Sequence, residues 1–229
     1  MAFCDSIVPM DVAPYRLTGR VYGTLVNHQS ALKTLGNAVH EAPYKGAPQG
    51  PVLYIKPRNT LARSGDVLVV PADTQELEVG ASLGIVIGRT ACALSERVAL
   101  DFVAGYLIVN DVSVPHSVFY RPSIRFKARD GFCPIGPRVV SKSAVTNPDD
   151  LQIDVLVDGA LQQSASTKDL TRSITRLLAD VTDFMTLAPG DVLTVGSAAP
   201  AVRVRAGQSV AIDIEQVGRL TTSFVGGQA

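Results

Sequence analysis

The sequence predicts a mostly β fold with few helices, an α+β chain in which strands dominate. Three observations carry that reading: eight short runs rich in Val, Ile and Leu, only two stretches of helical periodicity, and Pro/Gly turns between them. The strand runs are Arg20–Asn27, Val52–Lys56, Asp66–Val70, Leu83–Ile87, Gly105–Asn110, Leu151–Val157, Asp191–Val195 and Ser209–Ile214. Each is long enough to cross a sheet once. The first helical pattern, Ser95–Asp101, opens on a serine suited to the N-cap, with Glu96 where the helix dipole favours an acid. The second, Thr171–Thr186, sets Ile174, Leu177, Leu178, Val181 and Met185 on one face. It ends in Leu187-Ala188-Pro189-Gly190-Asp191, where proline and glycine stop a helix and turn the chain into the next strand. Asp158-Gly159, between two strand-like runs, predicts a hairpin. Glu41–Pro51, rich in Pro and Gly, reads as a linker or lid. One domain over residues 1–229 is expected, with 1–50 including an N-terminal appendage and that lid or linker.

Charge narrows the partners. Lys plus Arg equals Asp plus Glu at 21 each, so no net field draws the chain to nucleic acid or to an anionic membrane. The apolar runs fall well short of the roughly 20 residues that span a bilayer. Met1–Tyr15 carries Asp5 and Asp11 and has no basic start, unlike a signal peptide. A cytoplasmic location and a small-molecule or protein partner are expected. Cys4, Cys92 and Cys133 form no Cys-x-x-Cys pair, which fits a reducing compartment, and each reads as a small buried hydrophobe.

Five phrases then occur in order: Tyr54-Ile55-Lys56-Pro57-Arg58-Asn59-Thr60, Leu83–Ala91, Val103–Ser113, Lys127–Pro137, and Met185-Thr186-Leu187-Ala188-Pro189-Gly190-Asp191. In these the chain resembles the fumarylacetoacetate hydrolase superfamily over roughly residues 20 to 225. Leu25–Ser30, Pro43-Tyr44-Lys45 and Phe119-Tyr120-Arg121-Pro122 resemble the N-terminal half of the duplicated isomerase/decarboxylases of 4-hydroxyphenylacetate breakdown. The resemblance implies a mixed β-roll or sandwich and chemistry on 2-oxo acids held by Mg²⁺ or Mn²⁺. A hard divalent ion polarises the oxo group and stabilises the enolate left when a C–C bond breaks or a proton leaves.

The family's carboxylates are mostly missing. Its Glu-x-Glu falls on Gly80 and Ser82, leaving Asp111 as the one retained metal ligand, so Mg²⁺ or Mn²⁺ is not expected to bind this chain alone. Glu76 and Glu78 share strand parity with the vacant positions but lie about 13 Å and about 7 Å before them, and solvated charge is the preferred reading. The family's acid/base pair falls on Ala31 and Thr34. For His28 a turn role beside Asn27 is preferred to that of a general base, and His40-Glu41 reads as exposed. His116 follows Pro115 in a loop near Asp111.

What remains is cationic. By the resemblance Lys127 stabilises the substrate's carboxylate or enolate and Asp130 orients it, with Asp111 a further catalytic candidate. An ordinary loop-holding ion pair is the equal alternative for Lys127 and Asp130. Arg121 and Arg129 could clamp a dicarboxylate bidentately, or simply be solvated. Lys56 matches a family position near the site, and Ser197 keeps a hydroxyl where the family has threonine. Three readings stay open: a decarboxylase/isomerase acting on a small dicarboxylate 2-oxo acid; a supporting subunit of a metal-bearing homologue; and a small-carboxylate binding module. A homodimer, or a heteromer with that homologue, is expected.

Overall fold

A computed structural model describes residues 11–12, 15–116 and 123–227. Two mixed sheets form the body. The seven-stranded sheet runs, edge to edge, Val52–Lys56, Val21–Leu25, Val192–Thr194, Ala81–Ile87, Val103–Asn110, Cys133–Ser141, Leu61–Arg63. The five-stranded sheet runs Ala160–Ser166, Gln152–Val157, Ser209–Ile214, Gly218–Gly226, Val67–Val70. Leu77–Val79 pairs separately with Val202–Val204.

Ala81–Ile87 is buried at all seven positions, because both faces of the larger sheet are covered. Leu83, Ile85 and Ile87 face a core shared with Val155, Ile212, Leu220 and Phe224 of the second sheet and with Leu177, Leu178 and Val181 of the main helix. Val86 faces the other way, into a smaller cluster with Leu107, Val109 and Ile135. A mostly-strand fold with curled mixed sheets is thus what the sequence predicts and the chain adopts.

The main helix is Ile174–Phe184, shorter than its periodic stretch. Its start is set by Asn27, which accepts from the Arg172 N–H through Oδ1 at 3.0 Å while its carbonyl takes the Thr171 N–H at 2.7 Å. Those residues are held out of the helix, and Ser173 caps it by accepting from Arg176 N–H. Ser95 sits at the N-cap of Glu96–Ala99 without a side-chain cap bond. The hairpin at Asp158-Gly159 is present, joining Gln152–Val157 to Ala160–Ser166. Helices at Gln29–Leu35 and Ile124–Lys127 and strands at Cys133–Ser141 and Gly218–Gly226 add to the elements the sequence suggested. Cys133 is buried, as expected, but Cys92 is exposed, because it lies in the turn after Ala91 rather than in a strand. Cys4 lies outside the described residues.

Candidate active site

Two strands of the larger sheet and one short helix deliver charge to one buried place. Lys56 ends the strand Val52–Lys56, Asp111 follows Val103–Asn110, and Lys127 ends the short helix Ile124–Lys127. Lys56 Nζ lies 2.7 Å from Asp111 Oδ1, and Lys127 Nζ lies 2.7 Å from Asp111 Oδ2. Tyr54 donates its hydroxyl to the same Oδ2, and Lys127 Nζ sits 4.7 Å from the centre of the Tyr54 ring. Two ammonium groups and a phenol therefore surround the Asp111 carboxylate, with both hydrogen bonds on Oδ2 and the ion pair to Lys56 on Oδ1.

Lys56 is 1% exposed and donates to three backbone carbonyls, Val112 at 2.7 Å, Lys127 at 2.8 Å and Phe132 at 2.8 Å. Its three protons face four acceptors, so it cross-links the loops that carry Asp111 and Lys127. Burial pulls the Lys56 ammonium below its ordinary 10.5, with Asp111 opposing. For Asp111 burial works upward, but Lys127 and then Lys56 overcome it and hold the carboxyl well below its usual range. Tyr54 is pushed well above 10.0 by burial and by the Asp111 charge, so it stays a donor. Burial also raises the neighbouring Cys133 thiol to about 12, which leaves it inert.

Two lysines and one aspartate leave the cluster with one surplus positive charge. Among the described residues Lys127 makes a single carboxylate contact and keeps unused N–H capacity. The half-buried Ser197 stands beside Gly80: its Oγ is 3.4 Å from where a Cβ on Gly80 would lie, and that Cβ would meet the Asp111 carbonyl oxygen at 2.8 Å. The site is thus suited to holding a carboxylate or a developing enolate.

Other sequence-derived candidates lie elsewhere or have different partners. Asp130 accepts from Asn59 Nδ2 at 2.7 Å, so the carboxylate facing Lys127 is Asp111 rather than Asp130, whose side chain is turned to the neighbouring loop. Arg129 makes a bidentate pair with Asp73 at 2.9 Å for each bond. Arg121 lies outside the described residues. His28 caps Gln29–Leu35, its Nδ1 accepting from Ser30 N–H at 3.2 Å with Ser30 Oγ 2.8 Å away. That is the turn role expected for it. His116 stacks on Phe126 with centroids 4.9 Å apart, and His40 is exposed. Ala31 and Thr34 lie on Gln29–Leu35, where Thr34 Oγ1 donates to the Ser30 carbonyl. Glu76, just before the Leu77–Val79 strand, pairs with Arg203 and Arg205, and Glu78, at the middle of that strand, pairs with Arg203. A cleft of about 490 Å³ beside His28, Ser30, Pro200 and Arg203 includes none of the buried cluster in its walls.

Tyr54 is the residue that sequence reasoning passed over. It shares strand parity with Lys56, and so its face, and it pairs directly with Gly23. A Cβ on Gly23 would stand 2.0 Å from the ring, so the absent side chain is what lets Tyr54 lie across the sheet.

The residues do not fit a divalent ion. Among the described residues no group of three His, Cys, Asp or Glu side chains could hold a metal. Asp111 has both oxygens engaged, Ser82 Oγ donates to the Gly196 carbonyl at 2.9 Å, and Gly80 offers no ligand.

A family model described as fumarylacetoacetate (FAA) hydrolase C-terminal matches residues 20–225. The 4-hydroxyphenylacetate degradation bifunctional isomerase/decarboxylase of Escherichia coli is 37% identical over 86% of this chain and 44% of its own length. The chain therefore spans less than half of that relative. The crystal structure of 5-carboxymethyl-2-hydroxymuconate delta-isomerase from Mycobacterium smegmatis superposes with a TM-score of 0.80 at 29% identity, covering 93% of this chain and 81% of that one. Maleylpyruvate hydrolase from Sphingobium sp. SYK-6, in complex with manganese(II) and pyruvate, superposes at 0.75 with 29% identity, over 91% of this chain and 71% of that one.

Proposed function

The chain belongs to the fumarylacetoacetate hydrolase family, and on that premise we propose that it is a subunit of an isomerase/decarboxylase of 4-hydroxyphenylacetate (homoprotocatechuate) catabolism. The substrates in this reading are 5-carboxymethyl-2-oxo-hex-3-ene-1,7-dioate or 2-hydroxyhepta-2,4-diene-1,7-dioate. The observation that supports it is a buried cluster with surplus positive charge, at residues that the resemblance assigns to the family's site, in a chain 36–37% identical over 86% of its length to isomerase/decarboxylases of that name.

Both reactions pass through an enolate. When the C–C bond to a carboxylate breaks, CO₂ leaves and the electron pair moves onto the 2-oxo oxygen; when a proton leaves carbon, the pair moves to the same oxygen. A fixed ammonium beside that oxygen lowers the barrier in a site that excludes water. Lys127 supplies this charge and Ser197 a hydroxyl donor, while Asp111 holds the ammonium in place. Lys56 fixes the loops that carry both. Arg121 and Arg129 are the candidates for the substrate's distal carboxylates, Arg129 on release from Asp73.

A second reading, that of a supporting subunit for a metal-bearing homologue, is favoured by Gly80 and Ser82 standing where the family has metal-binding glutamates. Turnover of the dioate substrate by the purified chain separates the two, measured with EDTA, with Mg²⁺ or Mn²⁺, and with a metal-bearing homologous subunit added. Activity of the chain alone that Lys127→Met abolishes supports the first reading. Activity only with the added subunit sinks it in favour of the second.

A further inference from the structure

We propose that the site has closed around Asp111, whose two oxygens face the Lys56 and Lys127 ammonium groups, so that no divalent ion binds there. The inference rests on the family assignment of Gly80, Ser82 and Asp111, and not on the substrate named above.

Charge is the first support. A divalent ion would need Asp111 oxygens at about 2.1 Å. Instead each carboxylate oxygen has an ammonium at 2.7 Å, and the carboxylate is 8% exposed. The attraction a metal would supply is already provided from within the chain.

Space is the second. Losing two glutamate side chains from an otherwise unchanged site would leave a hole. Here a Cβ built on Gly80 meets the Asp111 carbonyl oxygen at 2.8 Å and Asp111 Cβ at 3.1 Å. The Asp111 main chain stands where the stem of a glutamate would begin, and Asp111 N–H donates to the Gly80 carbonyl at 2.9 Å. At Ser82 the hydroxyl is spent on the Gly196 carbonyl at 2.9 Å. Two vacated ligand positions have thus been used, one to draw Asp111 inward and one to tie down the loop before Ser197. Gly80 does not have the left-handed backbone that would itself demand glycine, so its contacts alone account for the missing side chain.

The test uses Mn²⁺ alone, with no substrate, so it is read independently of any activity. Wild-type chain titrated into Mn²⁺ leaves the electron paramagnetic resonance signal of the free ion unchanged, and millimolar Mn²⁺ does not move its Tm. Lys127→Ala leaves Asp111 short of one cation, lowers the Tm by about 6 °C or more, and gains a partial recovery with ethylammonium or Mn²⁺ that the wild type lacks. Gly80→Ala, which keeps every charge, lowers the Tm through the contact with Asp111. Stoichiometric Mn²⁺ binding by the wild type overturns the proposal. So does a Lys127→Ala chain with unchanged Tm and no response to cations. Should Lys127→Ala not fold, the wild-type titration and Gly80→Ala still decide: a Gly80→Ala chain as stable as wild type means that the space is open and the closure wrong.

Discussion

Two clusters in this molecule pair acids with bases, and they behave oppositely because of where they lie. At Asp111 the side chains of Lys56, Asp111 and Lys127 are 1%, 8% and 8% exposed, and every carboxylate oxygen has a fixed partner. At the Leu77–Val79 strand, Arg203 is 56% exposed above Glu76 and Glu78, each 22% exposed. One stretch of chain touches both, since Glu76 and Glu78 lie just before Gly80, whose carbonyl accepts from the Asp111 N–H. The acids at the wet end are held by exposed arginines and cost little to rearrange. At the dry end the same stretch carries Gly80 and Ser82, and two lysines neutralise the Asp111 carboxylate. Removing one member of the dry cluster strands a charge without solvent, whereas removing one from the wet cluster exposes it to water.

That contrast is sharpened by a graded series. Asp111→Asn leaves two buried ammonium groups facing each other and is expected to cost about 3–5 kcal/mol in chemical denaturation; a cost below about 1 kcal/mol would erase the distinction between the clusters. Tyr54→Phe removes one donor to a charged acceptor and should cost about 1.5–3 kcal/mol, measured in the same way. His28 offers a milder, pH-dependent test. Burial holds its imidazole below the ordinary 6.5 against the pull of Asp169, so the unfolded chain takes up the proton first. Its contribution is neutral above about pH 6.5 and becomes destabilising as the pH falls towards the folded value. His28→Asn should flatten the loss of Tm between pH 7 and pH 5. At the bottom of the scale, Glu76→Gln should change stability by about 0–1 kcal/mol, and less at high salt.

The sequence made the dry cluster half legible. Lys56, Asp111 and Lys127 were each marked by a phrase of their own, and Gly80 and Ser82 by their register against Leu83–Gly88. Their mutual pairing was not, because Lys56 and Asp111 are 55 positions apart and nothing local ties them together; Asp130, three residues from Lys127, was the nearer and weaker guess. Tyr54 was visible only through strand parity with Lys56. In the fold, Cys133–Ser141 escaped notice because Pro134 and Pro137 read as turn residues, although the strand keeps its place in the sheet between two neighbours. Gln29–Leu35 escaped because it buries no residue and so carries no apolar stripe. Gly218–Gly226 did carry a signal, with Leu220, Thr222 and Phe224 buried at every second position, but its polar alternates diluted it.

The order of the larger sheet sets a timetable for the chain's synthesis. Val192–Thr194 lies between Val21–Leu25 and Ala81–Ile87, parallel to the first and antiparallel to the second. Until Thr194 has left the ribosome, the sheet exists only as two halves with open edges, one of them the strand Ala81–Ile87, which is buried throughout in the finished fold. At about 5–20 residues per second the interval between making Ile87 and making Thr194 is roughly 5–20 s. During that time the nascent chain presents a bare hydrophobic edge, and a chain truncated after Pro189 should leave the amides of Val21–Leu25 unprotected from hydrogen exchange and should aggregate.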